Sequence, residues 1–159
     1  MSTIRVVWGG ATGPTAMAAY DAALAAANVH DYNLVTVSSV IPAGPDLEVV
    51  GTAPDLGPAG NRLTVVQSRE TVAPGSDAPA VAGIGWARSA SGRCIFSEAT
   101  GGDPGAVRET IESGLAHGRG LRDWEFVASD VLVRETPPDP EAFTTTVVCA
   151  VYGESTPIL

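Results

Sequence analysis

Lysine does not occur in this chain; all nine of its basic residues are arginine. That absence excludes two large classes of chemistry, because a pyridoxal enzyme holds its cofactor through a lysine Schiff base and a P-loop needs lysine on the phosphates. Histidine is nearly as scarce. His30 and His117 stand alone, and neither HExxH nor a GxSxG elbow occurs, so neither a catalytic triad nor a histidine metal site is supported. The two cysteines, Cys94 and Cys149, form no CxxC pair. This rules out a zinc knuckle or a thioredoxin-type motif and makes a reduced, cytoplasmic setting the default. A run of about 18 apolar residues is missing too, and MSTIRVVWGG lacks a basic region followed by an apolar segment, so the expectation is a soluble, non-exported protein.

What is present fits one compact domain spanning residues 1–159, long enough to bury about 70% of its unfolded surface without disulfide or metal staples. Eighteen acidic residues against nine basic ones give a formal charge of -9. Such a chain repels phosphate backbones and anionic headgroups, so neither nucleic acid nor a membrane is an expected partner. Acidic excess, no lysine and a core rich in Ala and Val match salt-adapted proteins, in which carboxylates keep the surface hydrated in concentrated salt. GC-rich coding also depletes lysine, but the net charge points to salt.

Along the chain, Thr3 to Trp8 reads as a strand, broken by Gly9, Gly10 and Gly13. Pro14 suits the first turn of a helix that runs to Ala27, with Met17, Tyr20 and Leu24 as its apolar face and Asp21 on that same face, where the ordinary reading puts its carboxylate at the edge of the stripe, solvated or hydrogen-bonded. Tyr32 to Ile41 alternates as a strand that Pro42 and Pro45 end. The Gly- and Pro-rich stretch from Ala43 to Asn61 reads as a long surface loop, with a short strand at Leu47 to Val50. Arg62 to Thr71, Ala80 to Ala87 and Cys94 to Ser97 are further strands. Asp103 as N-cap and Pro104 at the first helical position open a second helix, striped by Val107, Ile111 and Leu115 before Gly118 and Gly120. Asp123 to Arg134 and Phe143 to Tyr152 complete about seven strands and two helices, an α+β order and not a βαβ array. Two helices leave part of so large a sheet system uncovered, which favours oligomerisation.

A serine pair, Ser38 and Ser39, stands near the end of the segment NLVTVSSVIP. On its own such a pair is ordinary strand polarity. Four segments in order, GPTAMAAYDAAL (Gly13 to Leu24), NLVTVSSVIPAG (Asn33 to Gly44), FSEATG (Phe96 to Gly101) and GLRDWEF (Gly120 to Phe126), together resemble the pyruvoyl-dependent arginine decarboxylases. The likeness runs from about Ile4 to Tyr152 and is weakest after Pro42 and after Arg134.

The resemblance implies an αββα sandwich of mainly antiparallel sheets flanked by helices, assembled as a trimer of cleaved protomers with active sites between neighbours. It implies that Ser39 attacks the carbonyl of Ser38, so that residues 1–38 become a small subunit and residues 39–159 a large one beginning with a pyruvoyl group. That group, in place of pyridoxal phosphate or a metal, would form a Schiff base with L-arginine and release CO2 and agmatine, on the way to polyamines. By the same resemblance Asn33 assists processing as an oxyanion donor, and Glu98 protonates the carbanion, with Ala99 where the family usually carries an aromatic residue. Asp21 would pair with the substrate guanidinium, for which a carboxylate is the fitting bidentate partner. Two other readings remain open: the same chemistry on histidine, ornithine or aspartate, or an unprocessed, non-catalytic trimer that binds a small molecule.

Overall fold

The computed structural model describes residues 2–159, with two helices and nine strands among them. In chain order these are β1 (Thr3–Gly13), α1 (Ala16–Ala26), β2 (Asn33–Thr36), β3 (Val40–Ile41), β4 (Asp46–Gly51), β5 (Arg62–Val72), β6 (Ala80–Ser89), β7 (Cys94–Gly101), α2 (Pro104–Gly120), β8 (Phe126–Thr136) and β9 (Phe143–Tyr152). One sheet has the order β2-β5-β9-β1-β4 and the other β3-β7-β6-β8. The second sheet is antiparallel throughout, whereas β1 runs parallel to β4, and β2 parallel to β5, in the first.

Three apolar clusters define the layers. Ala23, Leu24 and Ala27 of α1 meet Val7, Leu63, Val65 and Cys149 on the outer face of the first sheet. Ile4, Val6, Val66, Val148 and Ala150 meet Ile84, Trp86, Cys94 and Phe96 between the sheets. Val107, Ile111 and Leu115 of α2 close the outer face of the second sheet. The result is helix, sheet, sheet, helix, the αββα order. Strand β9 lies second from neither edge but in the middle, paired with both β5 and β1 and covered on both faces, which is why eight consecutive residues from Thr144 to Val151 are buried.

The second helix forms as its sequence predicts. The Asp103 carboxylate accepts from the Ala106 N–H at 2.9 Å, and the striped residues are the buried ones. Each of these three side chains contributes about 2 kcal/mol by leaving water.

The first helix departs from expectation. Gly9 and Gly10 do not break β1, which runs through them and ends only at Gly13, and the helix starts at Ala16 with Thr15 as its cap, not at Pro14. The glycines serve close packing: a Cβ on Gly9 would collide with the Ala23 carbonyl oxygen and lie 2.9 Å from the Ala26 Cβ. Only small side chains fit so near a strand, so the buried face of α1 is Ala19, Ala23 and Leu24, while Met17 is 71% exposed and Asp21 lies exposed beside it.

The stretch Tyr32 to Ile41 is not one strand. It divides into β2, in the first sheet, and β3, in the second, with Val37, Ser38 and Ser39 between them. The seventh strand is also longer than its apolar start, reaching Gly101 and carrying Glu98 within it. In the loop after β4, Ala53 and Leu56 are buried against the α1 cluster, so part of that segment is core and not surface.

Gly9→Ala tests the close approach of helix and strand. Because the clash is with helix backbone, the substitution should lower unfolding free energy by about 2 kcal/mol, read as a lower denaturation midpoint.

Candidate active site at the crossing between the sheets

The chain passes from one sheet to the other in three residues. The Val37 N–H still donates to the Val65 carbonyl at 3.0 Å, extending the pairing of β2 with β5. The Ser39 carbonyl already accepts from the Phe96 N–H at 2.9 Å, extending the pairing of β3 with β7. Between them the Val40 N–H donates to the Ser38 carbonyl at 3.0 Å, a three-residue turn centred on Ser39. Ser39 is not among the residues with positive φ, so the turn is the common inverse form. The Ser38–Ser39 peptide is therefore held at both ends by different sheets and bonded at its carbonyl only within the turn.

Side-chain alternation decides what faces this peptide. Ile41 is buried between the sheets, and Ser39, two residues earlier, shares its side of the chain. On β7, Cys94 and Phe96 belong to the same intersheet cluster, so Glu98 follows them on that face and emerges at its rim. The Ser39 Oγ donates to the Glu98 Oε2 at 3.1 Å. The structure thus joins the two residues across 59 positions of sequence, and gives Ser38 a carbonyl polarised by a backbone N–H.

The other two sequence candidates lie apart from this pair. Asn33 begins β2, six residues upstream, and its Nδ2 donates to the Gly60 carbonyl at 2.7 Å. Asp21 sits on α1, which covers the outer face of the first sheet, whereas Ser39 and Glu98 face the space between the sheets. The helix is oriented by Tyr20, whose hydroxyl accepts from the Gln67 Nε2 at 2.6 Å and whose ring carries the Arg69 guanidinium 4.2 Å from its centroid. With Tyr20 tied down on β5, Asp21 and Met17 are turned outward.

Two features had no sequence signal. One is the Val40 N–H on the Ser38 carbonyl, because a uniform strand reading hides the turn. The other is Tyr152, at the end of β9, whose ring packs 6.4 Å from that of Phe96 and whose buried hydroxyl finds no hydrogen-bond partner among the described residues. An unsatisfied buried hydroxyl costs about 1–3 kcal/mol. Burial first, then Cys94 and Glu98 nearby, push this phenol up to about 12. The described residues contain no group of three metal-ligating side chains, and no helix is long and apolar enough to cross a membrane.

Comparison with known proteins places this geometry in context. The family model of pyruvoyl-dependent arginine decarboxylase matches residues 3–157. A pyruvoyl-dependent arginine decarboxylase from Halobacterium salinarum is 46% identical over 160 aligned positions, covering 99% of this chain and 98% of the relative. One from Pyrococcus horikoshii is 32% identical over 133 positions, 80% of this chain and 83% of its own length.

The cysteines take no part in this site, and their burial makes a prediction. Burial pushes the Cys149 thiol up to about 12, so it stays protonated across the working range, and Cys94 is buried as well. Native protein should not react with a thiol reagent such as dithiobisnitrobenzoate, whereas two thiols per chain should titrate after denaturation; a rapidly labelled native thiol would contradict the packing.

Proposed function

The chain belongs to the pyruvoyl-dependent arginine decarboxylase family, and on that premise we propose that it decarboxylates L-arginine to agmatine and CO2 at a pyruvoyl group made from its own Ser39. The observation that carries this reading is the Ser38–Ser39 peptide itself, strung between two sheets with the Ser39 hydroxyl on Glu98 and the Ser38 carbonyl on the Val40 N–H.

The residues fit the making of that group. Glu98 accepts the proton of the Ser39 hydroxyl as Oγ attacks the Ser38 carbonyl carbon, whose oxygen the Val40 N–H stabilises as charge develops. The C–N bond breaks, the nitrogen leaves as the Ser39 amine, and the two residues are joined by an ester. Loss of the Ser39 Cα proton with departure of the Ser38 carboxylate, then release of ammonia by water, leaves a ketone at position 39. The cut separates residues 1–38 from 39–159 without releasing either. Strand β1 stays paired with β9 and β4, and α1 stays packed in its cluster, so the small subunit contributes an inner strand of the first sheet.

When formed, the pyruvoyl group supplies an electron-withdrawing carbonyl that takes up the electron pair left behind by CO2. Glu98, at position 39 from the start, returns a proton to the substrate carbon that lost CO2. Asp21 holds the guanidinium through two parallel hydrogen bonds. Asn33 assists processing: its amide carries two N–H groups, of which Gly60 takes one, and because β2 carries Asn33 away from Ser38 of its own chain, the other serves the oxyanion of a neighbouring copy.

Because α1 lies outside the first sheet, Asp21 meets a Ser39–Glu98 pair only when it comes from another copy. The exposed valines beside the crossing, Val35, Val37 and Val40, together with Met17, supply apolar surface for that contact. The assembly in this reading is a trimer with each site shared by two neighbours.

Protein purified in molar salt and then denatured should show two chains, of about 3.9 kDa and about 12.3 kDa in proportion to their lengths in a 16.2 kDa chain, the larger blocked at its amino terminus and reactive with phenylhydrazine. One intact chain under these conditions would overturn the reading. Asp21→Asn should cleave normally yet lose several orders of magnitude in kcat/KM for arginine. Coexpressed with Ser39→Ala, it should recover about a quarter of wild-type activity, the chance that a site draws each intact residue from the right copy. Full arginine turnover by D21N would overturn the assignment of Asp21 to the guanidinium.

A further inference from the structure

Of the three tyrosines, two have occupied hydroxyls: Tyr20 bonds to Gln67, and Tyr32 donates to the Gly57 carbonyl at 3.1 Å. Tyr152 is the exception, with a buried hydroxyl and no partner. Its surroundings are those of the candidate site. The Phe96 ring lies against it, and Phe96 and Glu98 stand on one face of β7. The titratable groups facing Tyr152 are Cys94 and Glu98, both on β7. Glu98, for its part, uses one oxygen: Oε2 accepts from Ser39, its one donor among the described residues, and Oε1 is free.

Processing upsets this arrangement. Conversion of Ser39 to a ketone consumes the hydroxyl that holds Glu98, and a ketone oxygen has no proton to donate. A carboxyl at the rim of the sandwich is then without the bond that aimed it at position 39.

We propose that Tyr152 takes over that bond in the processed enzyme, as a positioning residue whose hydroxyl donates to Glu98 and keeps its carboxyl directed at the reacting carbon. The inference rests on the proposed function, and it divides the reaction in two. Before the cut Glu98 is held by Ser39 and Tyr152 is idle; after the cut Tyr152 holds it. In the uncut chain the Ser39 bond turns the Glu98 carboxyl toward the crossing, and the Tyr152 hydroxyl is left without a partner among the described residues. Phenylalanine at 152 keeps the ring that packs on Phe96 and removes only the oxygen.

Two sets of variants test this. In Ser39→Ala, which has neither the hydroxyl nor a pyruvoyl group, Glu98 should already lean on Tyr152. The Glu98 carboxyl is followed by carbon-13 NMR with Glu98→Gln for assignment. Adding Tyr152→Phe should then shift the Glu98 carboxyl resonance more than any other carboxyl resonance, because the donor to it has been removed. In the otherwise native chain, Y152F should cleave into the same two subunits, keep KM within a factor of about two and lose about tenfold in kcat. An unmoved Glu98 resonance, a Y152F enzyme with wild-type kcat, or one that fails to cleave would each overturn the handover. A native chain that never cleaves would sink the proposed function instead, while the S39A pair would still decide whether Tyr152 bonds to Glu98.

Discussion

Between Val37, bonded to Val65 in one sheet, and Ser39, bonded to Phe96 in the other, the backbone must cross the space separating two ladders. Extended pairing cannot do this, so the chain turns within three residues, and the Ser38 carbonyl satisfies itself on the Val40 N–H. The rest of the site depends on that crossing. It keeps one peptide out of both sheets, so cutting it removes no ladder bond. It also turns the Ser39 hydroxyl towards the intersheet face, where the alternation of β7 has placed Glu98. The sandwich on either side is rigid, and anchors both ends of the peptide.

The same sandwich explains why Asp21 and the Ser39–Glu98 pair lie on different sides of the first sheet. Helix α1 packs through alanines onto the glycines of β1, close enough that no other face of the helix can turn inward. Asp21 is therefore displayed to solvent, on the far side of the first sheet from Ser39. Tight packing of small residues is usually discussed as a source of stability. Here it also sets that the Asp21 carboxylate faces outward.

Charge and burial act on different parts of the molecule. The carboxylate excess belongs to the surface chemistry, where it sets hydration and repels polyanions. The groups at the crossing are uncharged or singly charged: two serines, one glutamate and, beside them, a phenol that burial keeps protonated well above neutral pH. An electron sink generated from the chain's own backbone fits a protein with no lysine to carry a pyridine cofactor.

Much of this was legible in the amino-acid order. Composition excluded lysine-based and cysteine-based chemistry, local periodicity and capping marked the start of α2 and both ends of β9, and the segments around Asp21, Ser38, Ser39 and Glu98 carried a family likeness that the whole-chain comparison bears out. These features are short-range: a cap, a stripe or a motif is complete within a few residues. What could not be read were the glycines inside β1, the break at Val37 to Ser39 and the idle hydroxyl of Tyr152. A glycine looks like a breaker until a helix is packed against it, and an alternating run looks like one strand until its halves are claimed by different sheets. The bond from Ser39 to Glu98 spans 59 positions and that from Val37 to Val65 spans 28, so neither exists before the two sheets come together. The residue types were set by the sequence; which of them meet was decided by the tertiary fold, because contacts between layers depend on the packing of every strand that lies between them.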